Sequence, residues 1–201
     1  MKKYLLIALL LITGLLEAKE QQYNGADIQY GNSYPQVKLI TSYGEITIEL
    51  DRRRAPITAN NFLWLAKNKE YDNTIFHRVI NNFVIQGGGV TPDGKSKSDK
   101  NTIVNESGNG LTNDYGTIAM ARESDPHSAS RQFYINVKPE GNDNLNPNSS
   151  RWGYTVFGEV IAGMDVVTKI MTTPTGADSS NGWQDVPLTK ILLIKAVIIP
   201  E

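Results

Sequence analysis

The chain has 201 residues, 40% of them hydrophobic and 20% charged, which suits one globular domain able to bury a sizeable core. Lys and Arg number 20 against 21 Asp and Glu, so the positive surplus with which a nucleic-acid partner is met is missing. Cysteine is absent, which excludes disulfide staples, thiol catalysis, a lipid-modified cysteine and most structural zinc sites.

Lys2 and Lys3 precede an apolar run from Leu5 to Leu16. At roughly 20 residues for a bilayer-spanning helix the run is too short to cross a membrane, and it fits the apolar region of a secretory signal. Residues 1–18 are therefore expected to be a cleaved signal peptide, with Ala18 as an approximate last residue because Leu16 is large where a small side chain is preferred. The chain is then exported, to a periplasm or to the outside, and no membrane association is expected after cleavage. Residues 19–36 are polar and aperiodic and read as a tether or loosely packed arm. The folded domain is expected over 37–201.

Order begins at Val37. Val37, Leu39 and Thr41, then Ile46, Ile48 and Leu50, alternate with more polar neighbours around Gly44, which can take the positive φ of a tight hairpin. From Pro56 to Lys69 the period changes: Ala59, Phe62, Leu63 and Ala66 fall on one helical face, and Pro56 suits a first turn. Short β-rich runs follow at 75–80, 83–86, 116–121, 132–137 and 154–160. A second helix is expected over Met164–Met171, with Met164, Val167 and Met171 on one side. The run from Lys190 to Ile199 is apolar on both faces and reads as a strand buried on both sides. Eight short strands and two helices without α/β alternation predict an all-β fold, a closed antiparallel eight-stranded barrel capped by two α-helices. Two long loops, 91–115 and 138–153, are candidates for function.

Few residues offer chemistry. The two histidines lie in no cluster with metal-ligand spacing, and no metal or cofactor is expected. Gly87-Gly88-Gly89 lacks the Lys-Ser/Thr of a phosphate loop and reads as a place where backbone approaches its surroundings closely. Asp125, His127, Ser128 and Ser130 share one polar loop, whereas hydrolase triads assemble from distant segments. Arg78 and Gln86 stand on apolar strands; by themselves they fit a surface ion pair and an edge amide as well as they fit a functional site.

Three blocks decide between these readings. Phe76-His77-Arg78-Val79-Ile80 with Phe83-Val84-Ile85-Gln86-Gly87-Gly88 resembles the signature of the cyclophilin family. Gly116 to Arg122 with Ser130 to Ile135 resembles its second block, and Tyr154 to Val160 with Gly163 to Val167 its third. The resemblance runs in order from about Val37 to Ile199 and is nearest to the exported bacterial branch. It implies a peptidyl-prolyl cis-trans isomerase acting on flexible or unfolded proline-containing polypeptides; the alternative is a non-catalytic chaperone or proline-peptide binding module using the same groove.

Carried over residue by residue, the resemblance makes Arg78, Phe83 and Gln86 catalytic. Val84, Met120, Tyr134 and Leu145 line the proline pocket with Phe83, backbone near Ala121 and Arg122 contacts the substrate, and Gln132 steadies Arg78 or the substrate. Tyr154 sits on the rim. His77 belongs to the same substrate-binding set, although strand alternation alone turns it away from Arg78, toward a packed, hydrogen-bonded position. Three departures stand out: Asn144 replaces an aromatic associated with tight cyclosporin binding, so weak inhibition is expected; Asn81-Asn82 replaces a Pro-Gly turn; Tyr134 replaces a Phe. No helix carries a sustained heptad seam, and a monomer is expected.

Overall fold

A computed structural model describes residues 25–97 and 101–201. The expected signal segment, residues 19–24 of the arm and residues 98–100 of the hydrophilic insert lie outside them.

Among the described residues ten strands form: β1 (Gln36–Thr41), β2 (Gly44–Leu50), β3 (Thr74–Ile80), β4 (Val84–Gly87), β5 (Thr117–Met120), β6 (Phe133–Asn136), β7 (Val156–Ala162), β8 (Thr175–Asp178), β9 (Trp183–Pro187) and β10 (Ile191–Ile198). Eight of them close into a barrel in the order β1-β10-β3-β4-β6-β5-β7-β2, every adjacent pair antiparallel. Closure leaves no unpaired edge in the barrel, as the order of short strands predicts. The remaining two, β8 and β9, make a separate hairpin that the sequence does not announce.

Alternation puts Leu39, Ile46, Ile48, Val79, Ile85, Ile118, Phe133, Ile135, Phe157 and Leu193 inside, all fully or almost fully buried. Two helices cap the barrel. The first, α1 (Pro56–Lys67), buries Ala59, Phe62, Leu63 and Ala66 as its period predicts, and ends two residues early because Asn68 caps it and Lys69 turns left-handed at φ 59°. Its Phe62 ring meets Tyr71, Phe133 and Phe157 at centroid distances of 4.9, 5.6 and 5.3 Å, an aromatic plug that joins the helix to the barrel. The second, α2 (Met164–Met171), buries Val166, Val167 and Ile170, while Met164 and Met171 pack at the margin rather than leading the apolar face.

Two expectations are corrected. β10 is buried on one side only: Ile191, Leu193 and Ala196 face inward, whereas Ile194 and Val197 are exposed, because a barrel wall has a single dry face. The arm, over its described part, is packed. Ile28 is buried in the core, and the Arg52 guanidinium donates to the carbonyls of Ile28, Gln29 and Asn32 at 2.7, 2.8 and 3.0 Å. Those carbonyls take up most of the donors of a half-buried guanidinium and hold the segment against the domain.

Turn chemistry follows the sequence. Gly44 has φ 136°, and a Cβ there would stand 2.7 Å from the Val166 side chain of α2, so both conformation and space require glycine. Asn82 takes φ 54° and lets the Phe83 N–H reach the Ile80 carbonyl, closing the β3–β4 turn.

Candidate active site

Register builds the site. Arg78 on β3 pairs with Gln86 on β4, Gln86 with Tyr134 on β6, Tyr134 with Ala119 on β5, and Ala119 with Val156 on β7. In antiparallel sheets such partners hold their Cβ atoms about 4.5–5.5 Å apart, so these five side chains form one row across the outer face. Two residues along each strand, on the same face, stand Val84, Ala121 and Tyr154. Val84, Ala119, Tyr134 and Val156 are buried there in an apolar cluster separate from the barrel interior, with Phe83, Leu111, Ala121, Leu145 and Tyr154 packed around it. The result is an apolar slot on the barrel wall with the Arg78 guanidinium and the Gln86 amide at one end.

Both long loops reach this slot. Leu111 comes from the first, and Leu145 from a single 3-10 turn, Asp143–Leu145, in the second. They are tied together by asparagines. The Asn113 side-chain oxygen accepts from the Tyr134 hydroxyl at 2.8 Å and from the Asn136 amide at 3.2 Å. Asn113 in turn donates its backbone N–H and its amide to the Asn146 side-chain oxygen. Asn142 donates to the Asn136 side chain and to the Phe83 carbonyl at 2.8 and 3.0 Å. Asn113, Asn136 and Asn142 are fully buried, so this network is costly to break. Burial pushes the Tyr134 hydroxyl well above its usual range, which keeps it a donor. The hydroxyl that distinguishes Tyr134 therefore anchors a loop. Sequence reading missed these asparagines; their only signal is an Asn-rich loop composition that turns share.

At the polar end Gln86 Nε2 donates to Gln132 Oε1 at 2.9 Å. Gln132 thus steadies Gln86, and the group that meets Arg78 is Asp185, whose Oδ2 stands 3.6 Å from Arg78 Nε. A Cβ on Gly89 would fall 2.3 Å from Gln132 Cγ, and Gly88 at φ 84° lies against Phe133 and Tyr71, so the triple glycine is the close approach expected of it. Arg122 lies over the Tyr154 ring at 4.6 Å and donates to the Trp152 and Gly153 carbonyls, fixing the opposite rim. The Ala121 N–H is already held by the Gln132 carbonyl at 2.9 Å.

One of the expected site residues stands elsewhere, and another stands nearer to Arg78 than alternation predicts. Met120 is 1% exposed and belongs to the barrel core; its neighbours Ala119 and Ala121 face the slot, and alternation sends Met120 inward. His77 does not turn away from Arg78. Register shifts between Phe76 and Arg78, and this bulge lets Phe76 and Val79 both enter the core while His77 and Arg78 line one recess with Val90, Ser96, Gln132 and Trp183. Burial, then the Arg78 charge, lowers the His77 pKa to about 4, so the ring is neutral at physiological pH.

The polar loop at 125–130 forms no triad. His127 Nδ1 accepts from the Asn105 N–H at 3.1 Å, and the Ser128 hydroxyl donates to the Asp125 carbonyl at 2.6 Å, so both side chains are held by backbone. Among the described residues no group of three His, Cys, Asp or Glu could hold a metal ion. The slot therefore offers shape, a fixed cation and amide groups, which is the equipment for stabilising a distorted substrate rather than attacking one.

Comparison with known proteins agrees. Peptidyl-prolyl cis-trans isomerase cyp18 of Streptomyces antibioticus is 50% identical over 166 residues, covering 81% of this chain and 98% of that protein. Peptidyl-prolyl cis-trans isomerase B of Escherichia coli is 48% identical over 162 residues, covering 80% and 97%. Identity to a Schizosaccharomyces pombe isomerase, ppi1, is 35%. A crystal structure of a Cryptosporidium parvum cyclophilin type isomerase superposes with TM-score 0.68 at 27% identity, over 84% of this chain and 99% of that one. The family described as "Cyclophilin type peptidyl-prolyl cis-trans isomerase/CLD" matches residues 36–197, and with that match, the barrel and the slot together, the chain belongs to the cyclophilins and is a peptidyl-prolyl cis-trans isomerase.

Proposed function

We propose that Arg78, Phe83 and Gln86 carry the isomerisation, with Val84, Ala121, Tyr134, Leu145 and Tyr154 as the walls of the proline pocket. Rotation about an X-Pro bond needs no covalent step: the barrier of ~18–20 kcal/mol is amide resonance lost as the C–N bond twists. Five decades of acceleration require roughly 7 kcal/mol of selective stabilisation. The prolyl nitrogen becomes a hydrogen-bond acceptor only as its lone pair localises, so a guanidinium donor aimed at it acts in the transition state and scarcely in the ground state. The Gln86 amide, fixed by Gln132, takes the carbonyl side. The single observation that supports this assignment is the cross-strand row from Arg78 through Gln86 to Tyr134, which sets cation, amide and apolar slot side by side.

The substrates on this reading are flexible or unfolded proline-containing chains outside the cytoplasm, and the protein acts as a monomer of the exported bacterial branch. The N-terminal Lys2, Lys3 and Leu5–Leu16 pattern supports export, and the higher identity to the two bacterial isomerases than to the Schizosaccharomyces pombe one supports a bacterial relationship. Exposed Asn144 beside Leu145 offers cyclosporin no aromatic wall, and inhibition is weak.

An isomerisation assay on Ala-Pro and Phe-Pro peptides tests the assignment. Arg78→Ala lowers kcat/KM by about 10²–10³, the scale of removing one transition-state donor. A rate equal to wild type would remove Arg78 from the mechanism, and a chaperone effect that survives the substitution would point to holding rather than catalysis.

A further inference from the structure

The β8–β9 hairpin lies outside the barrel against β3 and presents Trp183 and Asp185 to the recess of about 440 Å³ that His77, Arg78 and Gln132 also line. The Trp183 ring packs on the buried His77 at a centroid distance of 5.6 Å, which fixes the hairpin beside the Arg78 side chain. Asp185 occupies the left-handed region at φ 59°, a conformation that non-glycine residues seldom take and that Asp tolerates better than most. Its carboxylate faces Arg78 Nε, with side chains 40% and 39% exposed. Ion pairs so open to solvent add little to stability, so this pair gives folding small return for an unusual backbone. Its effect falls on the guanidinium. Arginine has a long, freely rotating stem, and a carboxylate on the Nε edge restrains it while leaving the two terminal nitrogens directed elsewhere. No hydrogen bond from those terminal nitrogens to protein is made among the described residues, whereas the guanidiniums of Arg52 and Arg122 are spent on carbonyls.

We propose that Asp185 is a positioning residue for catalysis: it orients Arg78 from the side opposite the proline slot. The inference rests on the role of Arg78 given above. Geometry of this kind governs rate more than binding, since misplacing a catalytic group weakens the transition state selectively.

The test uses the full chain with Asp185→Gly, which suits the positive φ and removes the carboxylate with its side chain, and Asp185→Asn, which keeps an acceptor oxygen on a side chain of the same shape. We expect Asp185→Gly to lower kcat about 3–10-fold with KM within about two-fold of wild type. Asp185→Asn should recover most of that loss. In an Arg78→Ala background Asp185→Gly should change nothing further, which a merely structural role would not produce. Full activity of Asp185→Gly, or an equal loss with and without Arg78, overturns the inference. Wild-type activity of Arg78→Ala alone would instead overturn the assignment beneath it.

Discussion

His77 is 9% exposed, its ring against Trp183, and its Nδ1 has no hydrogen-bond partner among the described residues. Burial and the adjacent Arg78 hold its pKa at about 4, below the ordinary 6.5. In the unfolded chain the ring titrates near 6.5, so between 6.5 and about 4 the unfolded state binds the extra proton. Stability from keeping His77 neutral is thus complete above pH 6.5 and lost as pH falls toward 4, up to about 3 kcal/mol at 1.36 kcal/mol per pK unit. Denaturant unfolding at pH 7.5 and pH 4.5 should show this loss, and His77→Asn should flatten it. An unchanged slope in the variant would place the acid sensitivity elsewhere. The same residue marks a limit of sequence reading. Alternation assigns faces only while the ladder is regular, and one bulge moved His77 to the side of Arg78. Met120 shows the complementary error, a residue named from its block although its parity points inward. The proposed catalytic residues Arg78, Phe83 and Gln86 are named by the motif and not by the periodicity.

At the scale of elements, α1 starts without a side-chain cap of its own: Ala55 is the N-cap and Pro56 follows. Glu106, from the first long loop, supplies the missing acceptor. Its carboxylate takes the N–H groups of Ile57 and Thr58 at 3.1 and 2.8 Å and the Thr58 hydroxyl at 2.7 Å. A carboxylate there meets both the orphan donors and the positive end of the helix dipole. Glu106→Ala should cost about 1–2 kcal/mol and lower Tm by roughly 3–8 °C, by calorimetry. A Tm within 1 °C of wild type would sink that account. Neither this cap nor the β8–β9 hairpin is legible in the sequence. The cap acts across 48 or 49 positions, and the segment from Thr175 to Pro187 is rich in Gly, Ser, Asp and Asn, with no alternation to announce strands. Its strands exist because they pair with each other and dock on β3.

For the molecule as a whole, export is the remaining prediction. Cleavage after about Ala18 leaves the packed segment from Gly25 onward untouched, since Arg52 and the core hold it through Ile28, Gln29 and Asn32. Protein recovered from outside the cytoplasm of an expressing bacterium should begin near Lys19, as read by N-terminal sequencing; an intact Met1 in all of it would defeat the export reading. The amino-acid order by itself determined the eight barrel strands, both helices, the hairpin glycine and the three blocks that mark the family. Those are local patterns of period, turn geometry and motif, each read within a dozen or so residues. Only the tertiary structure decided which side chains meet. The Arg78–Gln86–Tyr134 row, the asparagine ties behind the slot and the Asp185 carboxylate come from strands and loops far apart in the chain, and their spacing is set by barrel closure and a single bulge, quantities that no local window contains.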